Sequence, residues 1–207
     1  MLKVLGKPTS INVRKVLWVC EELALPYALE PWGRGLRDPD TPEFRALNPN
    51  AQVPVLCDGD FVLWESNTIC RYLAGRAGRS DLLPEAPQAR AQVEQWMDWQ
   101  ATDLNSAWRY AFMARVRQHP DFADAQAEAR SLAQWNRLMS LLDGHLAKTA
   151  FVAGEHFTLA DVVLALSINR WRLTPIEARP ALAAVERYYA ALRERPGFCK
   201  HCDNGTP

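Results

Sequence analysis

The periodicity of this chain changes once along its length, and that change limits what it can fold into. Up to about residue 75, short apolar runs of strand length alternate with stretches of helical spacing; from about residue 88 onward the pattern reads as helix after helix. In the first half, Leu2–Leu5 is a strand. Gly6, Pro8, Thr9 and Ser10 break it, and Val16, Val19, Cys20 and Leu23 recur at helical spacing within a helix over about 13–25 that Pro26 closes. Tyr27–Trp32 reads as a second strand, Gly33–Thr41 as a loop and Pro42–Leu47 as one helical turn. Val53–Cys57 and Phe61–Trp64, joined by Asp58-Gly59-Asp60, form a hairpin. A helix over Glu65–Leu73 follows, with Ser66 as its N-cap. Such an order is an α/β layer with a mixed sheet over residues 1–75. A polar linker spans 76–87, and an all-helical unit spans 88–207, with helices at about 88–117, 122–147, 159–172 and 178–194. Thr158 and Asp161 form a capping box at the start of the third of these, with Phe157 and Val162 placed for a hydrophobic staple.

Bulk properties exclude several classes. The 207 residues are 48% hydrophobic and 23% charged, so the chain has enough apolar material for a core and is not disordered. Lys plus Arg and Asp plus Glu both number 24, a balance that favours neither nucleic acid nor an anionic membrane as partner, although it leaves room for a local basic pocket. No apolar run approaches the roughly 18 residues that span a bilayer, and the start MLKVLGKPTS lacks the apolar core of a signal peptide. The expected location is the cytoplasm, consistent with five irregularly spaced cysteines.

Three turns could carry chemistry. Thr9-Ser10-Ile11-Asn12 places hydroxyls and free backbone N–H groups at a helix N-terminus, where an anion is stabilised; the same residues could simply cap the helix. In Gln52-Val53-Pro54-Val55 the proline cannot donate to a ladder and belongs at a strand start, an edge or a bend. Glu65-Ser66 offers a carboxylate for an ammonium and a helix N-terminus for a carboxyl group, or again a plain cap. Cys199-Lys200-His201-Cys202 has the C-x-x-C spacing of zinc or redox sites, but no second ligand pair stands near it, so no metal is expected. Cys20, Cys57 and Cys70 read as core. Trp96 and Trp99 read as packing, whereas Trp108, Tyr110 and Phe112 span more than one helix face, so that at least one of them is exposed or lines a cleft.

In this order the pieces resemble the cytosolic glutathione transferase family over nearly the whole chain. Gly6 to Leu17 is similar to the family's active-site turn and first helix in its serine-type branch (theta- or phi-like). Leu47-Asn48-Pro49 with Gln52-Val53-Pro54 resembles the segment leading to its cis-proline, Trp64 to Ile69 its glutamyl-binding turn, Phe157 to Asp161 its capped helix, and Arg195 to Phe198 the close of its last helices. The resemblance implies a thioredoxin-like N-terminal domain, an all-α C-terminal domain, a homodimer and glutathione as co-substrate, its thiol activated for attack on a small apolar or aromatic electrophile. It implies Ser10 first, Asn12 second and Thr9 third as the thiol contact. Val53, beside Pro54, would pair with the cysteinyl backbone, and Glu65, Ser66 and Gln52 would hold the glutamyl end. Trp108, Arg109, Tyr110 and Phe112 would form the electrophile site, with Arg109 and Arg115 available for an anionic electrophile. The loop before Pro42 lacks the His/Lys pair that plant-type members use for the glycyl carboxylate, leaving Trp32, Arg34 and Arg37 as substitutes. The same fold also serves glutathione-dependent disulfide or peroxide reduction, dehalogenation, isomerisation, or partner binding without catalysis.

Overall fold

The computed structural model describes all 207 residues, Met1–Pro207. Four strands, β1 (Leu2–Gly6), β2 (Tyr27–Pro31), β3 (Val55–Asp58) and β4 (Phe61–Trp64), form one sheet in the order β2-β1-β3-β4. β1 and β2 run parallel because α1 (Ile11–Glu22) crosses between them; β3 runs antiparallel to β1, and β4 antiparallel to β3 across the tight Gly59-Asp60 turn. α2 (Pro42–Leu47) starts with the Thr41 hydroxyl accepting the Phe44 N–H at 3.3 Å, and α3 (Ser66–Arg76) closes the layer.

The register decides where the turns meet. Leu5 of β1 lies opposite Val55 of β3, and Val55 lies opposite Trp64 of β4. The segment after β1, the segment before β3 and the segment after β4 therefore all leave the sheet at the same edge. Residues 7–12, 52–54 and 65–66, distant in sequence, become neighbours by strand pairing alone. Gly6 is needed there: a Cβ on it would stand 2.5 Å from Cγ2 of Val13, so only glycine lets α1 pack this closely over the end of β1.

The helical unit holds α4 (Pro87–Trp99), α5 (Asn105–Arg115), α6 (Ala125–Leu146), α7 (Leu159–Leu173), α8 (Ala183–Ala191) and α9 (Pro196–His201). Several sequence boundaries need correction. The expected helix at 88–117 is one rod interrupted by a wide π-helical turn at Gln100–Leu104. The next helix begins at Ala125, where Asp124 accepts the N–H groups of Gln126 and Ala127. The last long one begins at Ala183, five residues later than its spacing suggested. β3 starts at Val55, after Pro54. The stretch at 76–87 is packed down rather than loose: Leu82 and Leu83 are buried, and the Leu82 carbonyl accepts the Leu159 N–H at 3.0 Å.

One apolar cluster runs through both units. α7 lies at its centre, buried on every side from Leu159 to Trp171, and so it carries polar groups into the interior. The Asp161 carboxylate accepts the N–H groups of Thr158 (2.7 Å) and Val152 (2.8 Å) and the hydroxyl of Tyr188 (2.9 Å), completing the capping box and tying α7 to α8. α1 is nearly as enclosed, packed by α3, α7 and α9. Arg14 and Lys15, which lie between its apolar positions, are buried and hold polar partners: Arg14 donates to the carbonyls of Thr206 (2.8 Å) and Pro207 (3.0 Å), Lys15 to Asn67 and Gln100. Cys199 lies in α9 and Cys202 at its C-cap, with Cys202 buried and Cys199 exposed; Cys57 is half-buried, packed at the margin of the small Leu5, Trp32, Phe44 and Val55 cluster, whereas Cys20 and Cys70 are fully in the core.

Candidate active site

A cleft of about 620 Å³ opens between the end of the sheet and the helical unit. Its floor is the turn Lys7–Asn12. One wall comes from Gly33, Arg34, Gln52 and Val53; the other from Trp108, Arg109, Phe112, Met113 and Arg117 on and just after α5, with Arg170 of α7 behind. Thus Thr9, Ser10, Asn12, Gln52, Val53, Trp108, Arg109 and Phe112 meet in one space.

Ser10 occupies the N-cap position of α1, with extended backbone (φ −77°, ψ 127°), but its hydroxyl makes no capping bond. A capping serine bonds the N2 or N3 amide. Here the first intrahelical bond is Arg14 N–H to the Ser10 carbonyl, 2.9 Å, so the amides of Ile11, Asn12 and Val13 stay open along with the Ser10 hydroxyl. The helix terminus therefore brings the free donors of Ile11 and Asn12 and the Ser10 hydroxyl to residues that line the cleft.

The Val53–Pro54 peptide is cis, and neither backbone polar group of Val53 is bonded within the chain. Asn48 holds this loop in place: its buried side chain donates to the Gln52 carbonyl (2.8 Å) and accepts the Asn50 N–H (3.0 Å). Read from sequence, Asn48 has no role of its own; its signal is the Asn48-Pro49 turn ahead of β3.

Glu65, not Ser66, is the cap residue of α3, at φ 73° and ψ 109°, a conformation a non-glycine residue rarely adopts. Its carboxylate is exposed and unpaired, and Ser66 opens the helix with its own N–H free. Pro54, Glu65 and Ser66 do not line the cleft itself; they stand at the same sheet edge, beyond Val53.

Other expected members lie elsewhere. Tyr110 turns toward Phe122 (ring centroids 5.0 Å) and its oxygen accepts the Asp124 N–H, because a helix rotates about 100° per residue and the cleft face is 108, 109, 112. Arg115 is bound to Glu128, Glu177 and the Pro175 carbonyl. Of the three substitutes for the glycyl end, Arg34 reaches the cleft, whereas Trp32 is buried with Arg37 stacked on it at 3.9 Å and paired to Glu30 and Glu43. The largest departure is in charge. Lys7, Arg34, Arg109, Arg117 and Arg170 line the cleft and no Asp or Glu does, so its lining is cationic rather than simply apolar and aromatic. No three His, Cys, Asp or Glu side chains converge to hold a metal ion, and no helix is long and apolar enough to cross a membrane.

Comparison with known proteins settles the lineage. Residues 9–76 match the family description "Glutathione S-transferase, N-terminal domain", and residues 105–196 match "Glutathione S-transferase, C-terminal domain". The chain belongs to the glutathione S-transferase family. This transferase is 39% identical to glutathione S-transferase GstB of Escherichia coli K12, covering 97% of both chains. It is 35% identical to glutathione S-transferase 3 of Zea mays, covering 96% of this chain and 92% of the maize protein. Among solved structures it resembles the theta class glutathione S-transferase from the citrus canker pathogen Xanthomonas axonopodis pv. citri with glutathione bound. That match has a TM-score of 0.90 and 39% identity, and covers 97% of this chain and 96% of the other. The chain is thus a glutathione transferase enzyme, with a thioredoxin-like layer followed by a helical unit.

Proposed function

We propose that this transferase binds glutathione along the sheet edge and activates its thiol at the Thr9–Asn12 turn, with Ser10 as the principal donor to sulfur, Asn12 second and Thr9 third. The observation that carries this reading is the Ser10 hydroxyl, which sits where a cap belongs, caps nothing and lines the cleft beside Val53. The unpaired N–H and C=O of Val53 take the cysteinyl backbone as an added strand would. The Glu65 carboxylate takes the glutamyl ammonium and the open N–H of Ser66 its carboxylate, with Gln52 alongside. Lys7 and Arg34 face the glycyl end.

The chemistry follows from acid–base balance. A free cysteine thiol has a pKa near 8.5, so only a few per cent is thiolate at neutral pH, and the thiolate is the nucleophile. A hydroxyl hydrogen bond to sulfur favours the anion. Lowering the pKa by about two units takes about 2.7 kcal/mol. A charge-assisted hydrogen bond contributes about 1.5–3 kcal/mol and a helix terminus about 0.3–1 kcal/mol, which together suffice. The thiol proton goes to solvent and the sulfur pair attacks a small electrophile entering past Trp108, Arg109 and Phe112. None of the five cysteines lines the cleft, so no protein thiol takes part in this step.

The same reading makes the enzyme a cytoplasmic homodimer. Phe61, on the edge strand β4, is 48% exposed, an uncovered aromatic side chain suited to contact with a second copy. The buried free thiols of Cys20, Cys70 and Cys202 support a reducing compartment. The deciding experiment is titration of the protein with glutathione and with S-methylglutathione at pH 7, reading heat and ultraviolet thiolate absorbance. Both should bind, and only glutathione should show thiolate. Binding without a thiolate signal would overturn the activation step.

A further inference from the structure

The fully buried Lys, Arg and Asp side chains of this protein each hold at least one hydrogen-bond partner, with one exception. Lys15 has Asn67 and Gln100, Arg14 has the Thr206 and Pro207 carbonyls, and Asp161 has its donors. Arg170 is 3% exposed, forms no ion pair, and its guanidinium donates to no protein group; its Nε is fully enclosed and unpartnered. The group is held in place by packing instead, with its Cζ 4.0 Å from the ring centroid of Phe112 and 4.4 Å from that of Trp108. Two flanking rings orient the planar fork toward the cleft that Ser10 and Asn12 also line. Arg117 lies over the same Phe112 ring at 5.5 Å, and Arg109 stands on the same wall; neither is paired with an acid. A buried, unmatched cation is costly, and its cost is relieved by whatever anion fills the space in front of it.

We propose that the electrophile used by this transferase carries a carboxylate, received by Arg170 together with Arg109 and Arg117. The proposal rests on the reading that the glutathione thiolate forms at Ser10. A carboxylate is the planar partner that a guanidinium fork binds bidentately. Glutathione's own carboxylates lie on the other wall in that reading, the glutamyl one at Ser66 and the glycyl one toward Lys7 and Arg34. The three arginines of the helical side are then left for the second substrate. Its carboxylate anchors one end, Trp108, Phe112 and Met113 cover its carbon skeleton, and its reactive carbon is held toward sulfur. In displacement at an aryl chloride, the sulfur pair forms the new C–S bond, ring electrons take up charge, and the C–Cl bond breaks with its pair leaving as chloride. The thiol proton has already gone to solvent.

The test compares 4-chloro-3-nitrobenzoate with 4-chloro-3-nitrobenzamide, each as kcat/KM divided by its uncatalysed rate with glutathione at the same pH. The carboxylate should be favoured at least ~10-fold, about 1.4 kcal/mol. Arg170→Gln should bring the ratio close to one. The double variant Arg109→Gln/Arg117→Gln, at two exposed positions that leave the fold intact, should lower it several-fold. Equal or better use of the amide by the unaltered enzyme would overturn the proposal. So would turnover of neither compound by protein that binds glutathione as thiolate. A rise in the KM for glutathione in Arg170→Gln, equal with both electrophiles, would assign the guanidinium to glutathione instead. Absence of the thiolate itself would strike the underlying reading, and it is seen before any electrophile is added.

Discussion

The ammonium of Lys15, on the first helix, donates to Oε1 of Gln100 at 2.7 Å inside the protein, where the π-helical turn widens the long rod of the helical unit. The same ammonium donates to Asn67 at 3.1 Å; Asn67 donates to the Met97 carbonyl, and Gln100 donates to Ser167 at 3.0 Å. The two units are joined by this polar node as well as by apolar packing, and the residue after Ser66 is one of its members.

Burial lowers the Lys15 pKa to about 8. The folded value lies below the unfolded one, so between the two the unfolded chain binds more protons and stability rises with pH. Relative to Lys15→Met, the unaltered protein should gain about 2 kcal/mol between pH 7 and pH 9.5, measured by urea unfolding at both. A pH-independent difference would contradict the buried cation.

Replacement of the thiol donor should act on the acid–base step. Ser10→Ala is expected to raise the pKa of bound thiol by one to two units and to lower kcat at pH 6.5 by about 10- to 100-fold. The loss should shrink at pH 9, where thiolate forms unaided. Asn12→Ala should have a smaller effect and Thr9→Ala the smallest; pH–rate profiles of the three variants establish the order.

Glu65 faces a charged group in the proposed complex, not the reacting atoms. Glu65→Gln should raise the KM for glutathione about 10-fold with little change in kcat. A fall in kcat with constant KM would assign it to the transition state instead.

Asn48 touches no substrate in this reading. Asn48→Ala should cost about 1–3 kcal/mol of stability through the freed Gln52 carbonyl and Asn50 amide. It should also raise the KM for glutathione several-fold by loosening Val53. Thermal unfolding and steady-state kinetics separate the two effects, and normal KM would show that Val53 is held some other way.

Asp161 is a control far from this chemistry. Burial pushes its pKa up to about 6, so it is ionised at neutral pH and accepts four donors with its two oxygens. Asp161→Ala should lower stability by about 3–5 kcal/mol, the cost of breaking a buried hydrogen-bonded network, with thiolate formation preserved in whatever fraction folds.

Local rules read directly from the chain placed β1, the hairpin, α2 and the Thr158–Asp161 helix start, because each depends on residues a few positions apart. The same rules led astray where partners come from far away. Ser10 and Ser66 both carry the chemistry of caps, and propensity cannot tell a serine that closes a helix from one whose hydroxyl is left open. Glu65 takes its unusual backbone, and the cap position with it, because β4 must turn at once into α3. Tyr110 and Arg115 looked equivalent to Trp108 and Arg109 until α6 and the segment after α7 took them away from the cleft.

What the sequence by itself determined is the kind of element at each position and the set of turns able to bear chemistry, since hydrophobic period, proline and capping residues act over one or two turns of chain. Only the tertiary structure decided which of those turns share one space and what charge that space carries. Strand register gathered residues 7–12, 52–54 and 65–66 at one edge, and the packing of α5 and α7 set Arg170 unpaired between Trp108 and Phe112. A guanidinium's partners, or its lack of them, are a property of everything folded around it.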